Sequence, residues 1–205
     1  GRTEGDWSGE FDGDTWAAVK LDAEGTPLWK WQDGTSSSDY TTGVAVAADG
    51  TIVVVGYTWG NWVTSLTDAD VSDFAAFKLD ADGALIWKWQ GASSANDQLK
   101  GVQIVDAGGA FVVVGNSEGS FGGVSAGYHD FVAIKLDADG TELWSWQDGS
   151  TGNDFATSIA TADDGSVILA GYTYGSLDGD LEGICDRAVV KLDANGTEVW
   201  RWQVR

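Results

Sequence analysis

One cysteine, one histidine and no methionine occur in 205 residues. A lone Cys185 excludes an internal disulfide and a cysteine-built zinc cluster, and it is expected as a small buried or half-buried residue rather than a nucleophile. His129, beside Asp130, has no second histidine and no Gly-x-Ser-x-Gly elbow to complete a hydrolytic triad. No Walker loop, dinucleotide fingerprint or zinc spacing is present, so the chain reads as a non-enzyme. The missing methionine, the initiator included, reads as a processed or excised piece of a longer protein. No stretch approaches the roughly 18–20 apolar residues that cross a bilayer, and no basic-apolar-small pattern opens the chain. Cations are scarce as well: 11 Lys and Arg face 32 Asp and Glu, a formal net charge of −21. Such a surface repels phosphate backbones and anionic lipid, which excludes nucleic acid and membrane insertion as partners. The acids are spread along the chain, as on a solvated surface rather than in a disordered acidic tail.

Tryptophan is abundant instead, with 12 residues. Eight of them sit in four copies of one segment: Leu28–Gln32 (LWKWQ), Ile86–Gln90, Leu143–Gln147 and Val199–Gln203. The triplets beginning at Lys20, Lys78, Lys135 and Lys191 are spaced by 58, 57 and 56 residues. This period sets the architecture before any local assignment. Each unit reads as four short strands. The first (AAVKLD and its variants) ends in a tight Asp-x-x-Gly hairpin such as Asp80–Gly83. The second is the Trp-x-Trp segment. A Gly/Ser/Asp-rich loop leads to the third, and the fourth closes on Gly56, Gly115 or Gly171. No segment carries a 3.6-residue apolar period long enough for a helix. Consecutive apolar residues at Ile52–Val55 and Phe111–Val114 predict strands covered on both faces. Four strands per unit, with sheets stacked against sheets, describe the blades of a β-propeller. The units fall at roughly 1–57, 58–115, 116–172 and an incomplete 173–205.

Side chains alternate across a strand, so the two tryptophans of each segment share a face. Trp29, Trp31, Trp87, Trp89, Trp144, Trp146, Trp200 and Trp202 are therefore expected to dock each sheet on the next, each ring burying on the order of 150–250 Å². The recurring lysines are expected to pair with acids or backbone carbonyls, tying adjacent strands together. Asp39, Asp97 and Asp154 recur just before the third strand.

The segment from Asp130 to Thr173 resembles the SBBP-type β-propeller repeat, with its lysine strand, Asp-x-x-Gly turn, Trp strand, G-x-x-x-D loop and strand ending in Gly before Thr. The resemblance covers essentially the whole chain. It implies the propeller fold and a place in surface or secreted proteins, and it implies no activity. A weaker similarity to Trp-docked quinoprotein propellers lacks their Thr-Gly-Lys turn and vicinal cysteines, so no quinone cofactor is expected.

Four copies of strands one and two, but three of strands three and four, give fourteen strands and about three and a half blades. Open strand edges invite another chain. The chain is thus expected to be part of a larger propeller, or a protomer that completes its sheets with a neighbour. Outside the repeat, Trp7, Tyr57, Trp59, Trp62, Tyr172 and Tyr174 lie near loop positions where aromatics beside carboxylates could stack sugars. Asp178, Asp180 and Glu182, and likewise Asp68, Asp70 and Asp73, offer spaced carboxylates for calcium. Asn195-Gly-Thr197 is an N-glycosylation triplet and Trp59–Trp62 fits C-mannosylation spacing. These features together predict a non-enzymatic, extracellular or cell-surface scaffold that self-associates or joins the rest of a longer chain. The alternative is a carbohydrate-binding propeller.

Overall fold

A computed structural model describes residues 2–3, 14–62, 71–179 and 183–204. Every regular element among them is a β-strand, and all pairings are antiparallel. The first sheet holds β1 (Arg2–Thr3), β2 (Thr15–Leu21) and β3 (Pro27–Asp33). The second holds β4 (Asp39–Val46), β5 (Ile52–Thr58), β6 (Asp73–Leu79) and β7 (Leu85–Gly91). The third holds β8 (Asp97–Ile104), β9 (Phe111–Ser117), β10 (Asp130–Leu136) and β11 (Glu142–Asp148). The fourth holds β12 (Asp154–Thr161), β13 (Val167–Thr173), β14 (Asp186–Leu192) and β15 (Glu198–Val204). Each is a meander in chain order, so the structural repeat takes strands three and four of one sequence unit with strands one and two of the next.

The turns follow from local chemistry. Between β6 and β7 the Gly83 N–H donates to the Asp80 carbonyl, the Asp80 carboxylate accepts the Ala84 N–H, and Gly83 sits at φ +86°. A left-handed residue after the turn shifts the register between Lys78 and Leu79 by one, which is the bulge such hairpins carry. The same geometry recurs at Gly25, Gly140 and Gly196.

The β5, β6 and β9 strands are buried almost throughout, as the consecutive apolar residues predict. Their two faces belong to different joints. Ile52, Val54, Ala75, Phe77 and Leu79 pack toward the first sheet around Trp16. Val53, Val55, Phe74 and Ala76 pack toward the third around Phe111, Val132 and Ile134. A further cluster joins the third sheet to the fourth through Val112, Phe131, Leu169 and Val190. A fully buried Phe or Leu contributes roughly 1.5–3 kcal/mol, so the cohesion of the array lies between sheets. The first two strands of neighbouring sheets approach most closely, as β4 with β8 and β9 with β12 do, and the sheets splay apart toward their Trp strands. None of the closely packed strand pairs joins the fourth sheet to the first. The all-β, blade-like repeat is therefore as the sequence predicts.

Candidate functional site

Each joint is closed at its outer side by one backbone carbonyl. The Lys20 ammonium and the Trp29 indole N–H both donate to the Ala81 carbonyl, at 2.7 and 3.0 Å, in the β6–β7 turn of the next sheet. Lys78 and Trp87 donate likewise to Ala138, at 2.8 and 3.0 Å, and the Trp144 indole reaches Ala194 at 3.1 Å. The turn glycine lies under the ring. A Cβ on Gly83 would stand 2.6 Å from Trp29 Cδ2, which is why this position has no side chain. Lys20 and Lys78 thus tie adjacent sheets, whereas the sequence suggests adjacent strands. Trp29, Trp31, Trp87, Trp89, Trp144 and Trp146 are half-buried against the three clusters. Trp200 and Trp202 depart from the docking expectation: they are 43% and 58% exposed, because no sheet follows the fourth among the described residues.

The opposite end of each joint carries a polar latch that sequence reasoning missed. Gln90, the residue after Trp89, donates to the Asp73 carboxylate at 2.7 Å and to the Gly60 carbonyl at 3.0 Å, and accepts the Trp62 N–H at 2.8 Å. Gln147 repeats this with Asp130, Gly119 and Phe121, and Gln203 with Asp186, Gly175 and Leu177. In the first sheet Gln32 finds Thr15 in place of the aspartate. The signal lay in plain view, since every Trp-x-Trp is followed by Gln. Beside each latch, the aspartate opening the next sheet is buried. Asp97 accepts the Ser93 N–H and hydroxyl, and Asp39 and Asp154 repeat the pattern with Thr35 and Ser150. Burial outweighs these bonds and holds all three carboxyls above their usual range, Asp97 at about 6.

A cleft of about 440 Å³ opens where the first strands converge, lined by Thr42, Gln98, Lys100, Phe155, Thr157 and Tyr172. Its polar residues are placed by bulges. The registers of β4, β8 and β12 shift between Thr41 and Gly43, Leu99 and Gly101, and Ala156 and Ser158. The extra residues are Thr42, Lys100 and Thr157, all of which face the cleft. Opposite each bulge the partner strand carries Gly56, Gly115 or Gly171, where a Cβ would lie within 2.0 Å of a carbonyl oxygen. Aromatic rings lie in the cleft and beside it. Tyr40 and Tyr57 stack at 4.8 Å, Lys100 Nζ lies 5.3 Å from the Tyr57 centroid, and Phe155 packs on Tyr172 at 5.2 Å. Burial lowers the Lys100 pKa. His129 lies between Asn116 and Glu118 and against Phe155, and burial lowers its pKa despite the carboxylate.

The residues proposed for ligand contact therefore scatter. Tyr172 lines the cleft, Tyr174 rests half-exposed beside Phe155, and Tyr57 faces Lys100. Trp59 lies at the surface, its N–H bonded to Ser38. Trp62 is corrected: it packs against Phe77 and Trp16 at 4.5 and 5.7 Å, inside the first joint. Trp7, Asp68, Asp70, Asp180 and Glu182 lie outside the described residues. Asp178 is exposed, with its N–H on Gln203, and Asp73, offered for calcium, is buried and accepts the Gln90 amide of a latch. Asn195 is exposed at a hairpin turn. Cys185 is exposed, not buried, because it precedes β14 in an open loop.

No family model matches the chain. No curated protein matches it in sequence. A solved structure of a protein of unknown function from Bacteroides caccae is similar over 91% of this chain and 74% of its own, at 11% identity and a TM-score of 0.37.

Proposed function

We propose that the chain is an arc of a β-propeller of SBBP type that serves as a non-enzymatic scaffold, meeting other protein surfaces at its two ends, outside the cell or at its surface. The observation that carries this reading is the use made of the repeated polar residues. The latch glutamines, the buried aspartates and the turn-bound lysines already hold intramolecular partners within or between sheets. Groups spent in this way hold a frame rigid and leave little for chemistry. Two tryptophans of the fourth sheet, by contrast, face solvent, and a net charge of −21 suits a solvated exterior. Small-angle X-ray scattering tests the arc: a curved profile is expected, and a straight stack of sheets overturns the propeller part. Turnover in a screen of hydrolase and lyase substrates, abolished by changing His129, overturns the non-enzymatic part.

The cleft favours a second reading, carbohydrate binding. Phe155 and Tyr172 offer ring faces, and Gln98, Lys100 and two threonines offer polar contacts beside them, the mixture that holds sugars. A glycan array separates the two: hits that vanish with Tyr172→Ala support the cleft, and none are expected for a pure scaffold.

A further inference from the structure

The outward faces of the fourth and first sheets are the two halves of a joint that the chain already makes three times. In each internal joint a donating half meets a receiving half. The donating half is a lysine and two tryptophans; the receiving half is a hairpin turn with the apolar side chains beside it. Trp31, for instance, lies edge-on to Phe77 at 4.8 Å. The fourth sheet repeats the donating half with Lys191, Trp200 and Trp202, and the Trp200 indole makes no hydrogen bond among the described residues.

The first sheet repeats the receiving half. Val19 and Leu21 occupy the places of Phe77 and Leu79; they are 43% and 53% exposed, against 0% for both counterparts. Ala23 stands where Ala81, Ala138 and Ala194 stand. A Cβ at Gly25 would meet nothing within 4 Å, whereas at Gly83, Gly140 and Gly196 it would meet an indole at 2.6, 3.1 and 2.6 Å. The turn is shaped for a ring and, among the described residues, holds none.

We propose that a second copy of this chain seats its fourth sheet on the first sheet of its neighbour, with Trp200 donating to the Ala23 carbonyl and Trp202 covering Val19 and Leu21. This rests on the scaffold reading and names its partner. The two faces complement each other and not themselves, since one brings donors and rings and the other a carbonyl and a flat apolar patch. The contact is therefore head-to-tail, and it makes rings or filaments according to whether the rotation closes. Among the described residues, β1 pairs with β2 only at Thr15 and Trp16. The joint between copies thus engages mainly the outer part of each sheet. Such an interface belongs to the weak, transient class.

Sedimentation velocity tests this with two variants. Trp200→Glu/Trp202→Glu blocks the donating face and Val19→Glu/Leu21→Glu the receiving face; all four side chains are exposed, and circular dichroism verifies folding. The wild type is expected to associate, each variant alone to be monomeric, and an equimolar mixture to form a 1:1 pair through the one joint left intact. Three results overturn the proposal: a wild type that stays monomeric at the highest concentration it reaches in solution, a mixture that stays monomeric, or a receiving-face variant that still associates. A monomer with an arc-shaped scattering profile and no turnover rejects this joint alone. The scaffold reading fails separately, on the straight profile or the turnover already named.

Discussion

Asp97 shows what burial does to one carboxyl. Desolvation lifts it from 3.8 to about 6 although Ser93 and Ser117 bond to it. The folded state keeps that proton where the unfolded chain has released it. Stability therefore falls as pH rises from 3.8 toward 6 and is level above, a loss of at most about 3 kcal/mol. Asp39 and Asp154 add slopes of the same sign. Asp97→Asn is expected to remove its share, so urea midpoints of variant and wild type should draw together or cross between pH 4 and 6. Gln147 is the complementary case, buried with three partners. Gln147→Ala leaves the Asp130 carboxylate with the Ala126 N–H in place of two donors, strands the Phe121 N–H, and should cost about 2–4 kcal/mol, measured by urea unfolding. Neither role could be read from its residue alone. The Asp repeat was visible and so was the Gln, but the partners of the Gln lie 17 to 30 residues away, at a strand start and in a loop.

Between elements, one carbonyl serves two donors. Lys78→Met or Trp87→Phe each leaves the Ala138 carbonyl one partner, and each is expected to cost about 1 kcal/mol. The double variant leaves it none, so its loss should exceed the sum by more than about 0.5 kcal/mol; additivity in the thermodynamic cycle would refute a shared acceptor. The bulges make a sharper demand. A Cβ on Gly115 would stand 2.0 Å from the Gln98 carbonyl oxygen. Gly115→Ala should therefore cost more than about 3 kcal/mol and displace Lys100 from the cleft. Loss of the ring-current shift that Tyr57 imposes on the Lys100 methylenes in NMR spectra would report that displacement. Strand identities and hairpins were legible because apolar runs and Asp-x-x-Gly turns act locally. The bulges were not, since a one-residue mismatch appears only when two strands are laid side by side.

At the scale of the molecule, charge opposes contact. Copies carrying −21 each repel at low ionic strength, and salt screens that repulsion. The head-to-tail association is expected to tighten at least several-fold between about 20 and 500 mM NaCl, as sedimentation would record. A contact built on opposite charges would weaken instead.

The all-β repeat, its period and the recurring residues were legible in the chain, because these rest on side-chain alternation, turn propensity and apolar density within a few residues. Where one sheet stops and the next begins, which tryptophans are covered, and which side chains β4, β8 and β12 turn toward one cleft emerge with the packed fold alone. Those outcomes depend on backbone groups meeting across 50 or more residues, and a carbonyl or a bulge leaves no letter of its own in the sequence.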